Sequence, residues 1–142
     1  MNRPLFIAGL FGVTGVAAGA FGAHALEASV TPERLAVWDT AAQYHLIHAV
    51  VMLVLATGPV ATSGLKRLAV VGFALGVLLF SFSLYALVLT DISRFAMVTP
   101  LGGLFLMLSW LAGSVASSAR HYELKLLVMN YWNTCRVSFN SH

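Results

Sequence analysis

The chain has 142 residues, of which 59% are apolar and only 9% charged, with a mean hydropathy of +0.86. A soluble domain carries about 25% charged residues, so this is a membrane protein with room for one small bundle and no separate catalytic domain. The net charge of +3 and pI near 9.4 come from basic residues scattered between apolar runs, with no stripe or aromatic-interleaved patch, which excludes a nucleic-acid partner.

A spanning helix needs about 20 mostly apolar residues. Four stretches qualify, at about 4–25, 40–61, 68–90 and 95–119. Runs this long and this apolar satisfy their backbone groups only as helices, so the expected fold is an all-α integral membrane four-helix bundle. The first stretch raises a question of its own. Ala23-His24-Ala25 has the small-x-small form of a signal-peptidase site. A leader has no need of a packing face, however, and this run has one: Gly12, Gly15, Gly19 and Gly22 follow at steps of three and four. Such seams let membrane helices approach closely. The stretch is therefore expected to be kept as a helix, with His24 at its end.

Thr31-Pro32-Glu33 combines an N-cap residue, a first-turn proline and an early acid, all signs of a helix start. The helix either runs on through Trp38 into the second span or stops and restarts near Thr40. The third span repeats the glycine device with Gly72 and Gly76. Thr99-Pro100 resembles the earlier start, which makes Pro100 either the first turn of helix four or a kink within it. In the former case, 94–98 is an extended lead-in. The last segment, 120–142, has too short an apolar run to span. It is expected to be an interfacial segment or a disordered end. Cys135, the single cysteine, has no neighbouring ligand pattern and permits no internal disulfide.

Charge sets the expected orientation. The termini and the second connection carry Arg3, Lys66, Arg67, Arg120, Lys125 and Arg136, against Arg34 and Arg94 on the other side. Basic residues mark the inner side, so both termini are expected to face inward.

The polar residues inside the spans are the candidates for function, because such groups are costly in a bilayer. In "WDTAAQYHLIHA", 38–49, helical spacing puts Thr40, Tyr44, His45 and His48 on one broad side, with Asp39 and Gln43 elsewhere. With His24 and Trp38 they form a candidate cluster near the outer end of the bundle. Such a cluster suits histidines bonded to neighbouring helices, a metal or haem site built on His24, His45 and His48, or a proton or quinone site. No carboxylate or cysteine completes a metal set, and no bound cofactor is expected. Ser81, Ser83 and Tyr85 offer hydrogen bonds deeper in the membrane. Nucleophile, base and orienting group cannot be assembled from any spacing here, so an enzyme is not expected.

Four blocks then stand out in order: "GAFGAHAL" at 19–26, "WDTAAQYHLIHA" at 38–49, "LFSFSLYALVLT" at 79–90 and "TPLGGLFLMLSW" at 99–110. They resemble the domain of unknown function 423 family of small membrane proteins, to which animal transmembrane protein 256 is similar. The resemblance implies a four-helix inner-membrane protein, mostly bacterial, and implies no activity. His24, Trp38, Tyr44, His48, Ser81, Ser83, Tyr85, Thr99, Pro100, Gly102, Gly103 and Trp110 fall on its motif positions. Phe82, Asp91 and Ser109 stand where that pattern usually has glycine, which puts close helix contact at Phe82 in question. The expected role is a non-catalytic one, in a homo-oligomer or a larger membrane complex. A ligand-binding or conducting protein is the alternative.

Overall fold

A computed structural model of the chain describes residues 3–58 and 64–139, with the side chains of 119–124 and 131–139 outside the description. The far end of the expected second span, at 59–61, and the side chains of Arg120, Cys135 and Arg136 thus lie outside the described residues. Nearly all of the described residues are helical, and among them none lies in a strand. The four helices are α1 (Arg3–Phe21), α2 (Pro32–Thr57), α3 (Gly64–Thr90) and α4 (Thr99–Phe139). Each contains a stretch long and apolar enough to cross a membrane.

Local chemistry explains the boundaries. α2 starts at Pro32 because Thr31 caps it, its hydroxyl accepting from the Arg34 N–H at 3.4 Å, and Pro32 has no N–H to leave unpaired in the first turn. The helix then runs unbroken past Trp38 and Thr40 to Thr57. α1 passes at its end into a π-helical turn, Gly22–Leu26. α3 ends at Asp91, whose φ of 57° is left-handed and unusual for a residue other than glycine. This is one of the three positions where the resemblance implies glycine. Arg34 holds Asp91 there through an ion pair and also donates to the Leu87 carbonyl at 3.4 Å, so its cation sits at the negative end of α3.

The lead-in to α4 differs from the extended segment expected at 94–98. Ser93–Met97 is a 3-10 helix, and α4 follows it directly at Thr99. The Leu101 and Gly102 N–H groups turn back to the Val98 carbonyl, so Pro100 occupies the first turn, where its missing N–H leaves no bond unmade, and does not kink a longer helix. At its other end α4 continues helically through the segment expected to lie apart from the spans.

α2 and α3 form the central pair, with α1 packed chiefly on α2 and α4 on α3. One core cluster joins Ala8, Ala49, Met52, Val70, Phe73, Val77 and Leu106, and a second joins Leu26, Trp38, Ala41, Ala42, Tyr85 and Val88. Large apolar side chains such as Phe6, Val13, Ile47, Val54, Leu68, Leu104 and Leu111 face outward. In a bilayer that surface meets lipid, so burial of apolar area does not drive the helices together and close packing must.

The glycines show how that is done, and they divide. A methyl group on Gly15 would meet the Leu46 side chain at 2.9 Å, and on Gly22 the Trp38 ring at 2.6 Å. Gly12 and Gly19, with open space beside them, take no part in this contact. The single seam expected along α1 is therefore two: Gly15 and Gly22, a heptad apart, face α2, while Gly12 and Gly19 do not. Gly72 and Gly76 of α3 lie against Ser109 and Leu106 of α4, and Gly102 lies against the backbone of Leu79 and Phe80.

A histidine-centred polar core as candidate functional site

His45 and His48 sit one turn apart on α2, 0% and 5% exposed. His45 is thirteen residues past Pro32, about 20 Å along a helix about 39 Å long. The pair therefore lies at mid-depth and not at the end of the bundle, where sequence spacing had placed it. The π-turn residue His24 is exposed at that end, and among the described residues no three metal-ligating side chains come together. The expected convergence of three imidazoles does not occur, because half the length of α2 separates His24 from the other two.

Each buried ring is tied to different helices. His45 Nε2 lies 3.3 Å from Thr14 Oγ1 on α1, and its Nδ1 lies 3.4 Å from the Tyr85 hydroxyl on α3. The Thr14 hydroxyl donates its own proton to the Leu10 carbonyl at 2.9 Å. It therefore accepts from Nε2–H, and Tyr85 donates to Nδ1. His48 holds the opposite tautomer. Its Nδ1–H donates to the Tyr44 carbonyl at 2.6 Å, and its Nε2 accepts from the Trp110 indole N–H of α4 at 3.4 Å. All four ring nitrogens are thus engaged within the chain, and two residues one turn apart on α2 reach the other three helices.

Aromatic contacts surround this network. Phe11 and Phe82 pack on His45 at 5.5 and 5.4 Å between ring centroids, and Phe73 packs on His48 at 5.5 Å. Phe82, at the second departure from the family pattern, lies to one side of α3 and is 41% exposed, so it covers His45 without parting the helices. Tyr44 does not join the buried core. It is 42% exposed and stacks on Phe80 at 4.6 Å. Thr40 is exposed and bonds back to its own helix at Ala36, so spacing had assigned it wrongly to the His45 side.

Trp38 is buried at the junction of α1, α2 and α3. Its indole N–H donates to the Ala18 carbonyl at 2.8 Å, and its ring lies 4.4 Å from that of Tyr85. Gly22, the first residue of the π-turn, lies against the same ring, so its lack of a side chain leaves room for the indole beside α1. The other motif serines behave differently from one another. Ser83 bonds Thr99 Oγ1 at 2.8 Å and so links α3 to the start of α4. Ser81 is fully buried, and its hydroxyl has no hydrogen-bond partner among the described residues. Ser109, the third departure, donates to the Phe105 carbonyl and fills the space opposite Gly72. Spacing gave no signal for Thr14, Phe73 and Phe80, whose contacts form across helices. A hydroxyl inside a long apolar run was the only hint of Thr14.

Beside the His48–Trp110 pair, a groove of about 300 Å³ runs between α2 and α4, lined by Val50, Val54, Leu55, Phe73, Trp110 and Gly113. The hydroxyls of Ser114 and Ser117 on its wall bond back to Leu111 and Gly113 of their own helix. The groove therefore offers almost no free polar group.

The sequence profile of a protein family of unknown function, DUF423, matches residues 18–103. This chain belongs to that family. Its relatives include the UPF0382 membrane protein YwdK of Bacillus subtilis, 41% identical over 104 residues that cover 72% of this chain and 85% of the relative. A UPF0382 membrane protein of Haemophilus influenzae is 32% identical over 78% of this chain and 90% of its own length. Another, SAB0533 of Staphylococcus aureus, is 32% identical over 82% and 96%. No solved structure matches the chain. The DUF423 profile takes in Trp38, His45, His48, Ser81, Ser83, Tyr85 and Thr99, but stops short of Trp110 and of the second half of α4.

Proposed function

We propose that this DUF423 protein is a non-catalytic membrane component that assembles with a second copy of itself or with a larger complex in the bacterial inner membrane, with both termini inside. One observation supports this reading above the others: every nitrogen of the two buried histidines is already bonded within the chain. A metal, a haem or a quinone headgroup would have to displace Thr14, Tyr85 or Trp110 to reach them, at the cost of leaving buried polar groups unpaired. Meanwhile α1 keeps open space beside Gly12 and Gly19, which favours close approach by another helix. The inward orientation rests on the excess of Lys and Arg on the side of the termini.

Energy transfer between donor- and acceptor-labelled chains in vesicles tests this reading. Transfer should follow the mole fraction of labelled protein, and Gly12→Leu with Gly19→Leu should abolish it while the monomer stays folded. Alternatively, membranes solubilised in mild detergent should yield the chain in a defined larger complex that the same pair of changes disrupts. A monomer in both experiments would overturn the proposal.

A second reading has its own observation, the apolar groove that ends at Trp110 and His48. It is the place for an apolar ligand whose polar end exchanges with the Trp110 N–H. A purified protein with a Soret band, stoichiometric metal or bound quinone, lost in His48→Ala, would decide for it.

A further inference from the structure

α2 carries a seam that the rest of the described chain does not cover. Thr40, Gln43, Ile47, Val50, Val54 and Thr57 recur at alternating steps of three and four, the period that keeps one stripe of a helix against a partner helix. All six are exposed, and Ile47, Val50 and Val54 are exposed over more than half their surface. The stripe runs about 26 Å along the helix. Val50 and Val54 also border the groove toward α4.

Gln43 is the one polar member of the stripe that its own helix does not satisfy. Thr40 and Thr57 return their hydroxyls to the Ala36 and Leu53 carbonyls. The Gln43 amide has no hydrogen-bond partner among the described residues. About 30 Å of hydrocarbon counted back from Thr57 reaches Trp38, so Gln43 stands about 7 Å inside it. An amide is costly there unless it is bonded, and acyl chains offer it neither donor nor acceptor.

A second copy offers both. Two chains inserted in the same sense are related by a twofold axis along the membrane normal, which sets their α2 helices parallel and brings equal positions opposite one another. An amide facing its own copy is self-complementary, because each carbonyl accepts from the other's N–H. The β-branched Ile47, Val50 and Val54 pack in the layers that follow, and the single polar layer fixes their register, as one polar residue does in a coiled coil. The seam also adjoins α1. Gly12 and Gly19 lie about 140–160° around α1 from Thr14, and Gln43 lies about 160° around α2 from His45, with the Gly15–Leu46 contact between. The open space beside the two glycines thus borders the same outer face.

We infer that two copies of this chain meet along α2, with Gln43 bonded to Gln43 across a twofold axis. This rests on the assembly proposed above and narrows it to one partner and one helix.

Disulfide cross-linking of the full chain in vesicles, in a Cys135→Ser background, tests the seam, with energy transfer measured on the same preparations. Val50→Cys and Val54→Cys should give cross-linked dimer on oxidation, and Leu111→Cys, equally exposed but on α4, should not. Gln43→Met keeps the length and loses the amide, and should weaken the dimer about three- to tenfold. Gln43→Asn keeps an amide and should weaken it less. Energy transfer, or a larger complex, that persists with no cross-link at 50 or 54 would overturn the seam while leaving the assembly standing. A monomer by energy transfer would remove both. Association undiminished in Gln43→Met would overturn the amide pairing.

Discussion

The α1–α2 and α3–α4 interfaces both use glycine, to different ends. On α1, Gly15 and Gly22 make room for side chains, Leu46 and the Trp38 ring, which can shift to some extent. Between α3 and α4, Gly102 lies against the backbone of Leu79 and Phe80, which cannot move without moving the helix. The first interface is a socket for side chains, and the second adds to such sockets, at Gly102, a contact between main chains. Tolerance to added volume should therefore differ sharply between them, even though the glycines look alike in the sequence.

The largest effect is expected at Gly102→Ala. Its new methyl group meets backbone and should cost about 3 kcal/mol, at the upper end of overpacking penalties, read as a lowered midpoint in detergent unfolding. The neighbouring Gly103→Ala, where the nearest atom is the Phe80 ring at 3.9 Å, should be close to neutral. Equal losses at the two positions would break the comparison.

Next comes His48→Ala, which removes the partner of the Trp110 N–H and empties space beside Phe73. A loss of about 2 kcal/mol is expected in the same assay. Trp110→Phe keeps an aromatic side chain but loses the N–H and part of the ring that packs on Phe73, so it should cost about 1 kcal/mol, of which the hydrogen bond accounts for about 0.6 kcal/mol, the average for such bonds in a membrane protein.

Gly15→Ala should cost about 1 kcal/mol because the tip of Leu46 can partly yield. Gly12→Ala, facing open space, should leave folding unchanged. Matched losses at 12 and 15 would mean that both glycines face α2.

The smallest effect carries the opposite sign. Ser81→Ala removes a buried hydroxyl that has no partner among the described residues, and should leave stability unchanged or raise it by up to about 1 kcal/mol. A clear loss would show that Ser81 is bonded.

Much of this fold was legible in the sequence because a bilayer leaves few alternatives. Run length marked the four spans, and Thr31-Pro32 marked the start of α2. What spacing could not supply was the partner across a helix interface. Glycines at steps of three and four sweep around α1, so the pattern could not tell the Gly15 face from the Gly12 face. His45 and His48 were legible as candidates, yet their bonds reach Thr14, Tyr85 and Trp110, which lie 31, 40 and 62 residues away in the chain. The π-turn at Gly22–Leu26 and the 3-10 turn at Ser93–Met97 were illegible for a related reason. Both fit local backbone to contacts made elsewhere, the first to Trp38 and the second to the approach of α4 to α3.

The account rests on two imidazoles whose nitrogens are wholly occupied within the chain. Nitrogen-15 spectra of histidine-labelled protein in lipid vesicles test that most directly. Two buried rings of opposite tautomer are predicted, protonated at Nε2 in His45 and at Nδ1 in His48, with signals unmoved by added zinc, haem or quinone. A shared tautomer, or a ring signal that shifts in proportion to one of those ligands, would contradict it.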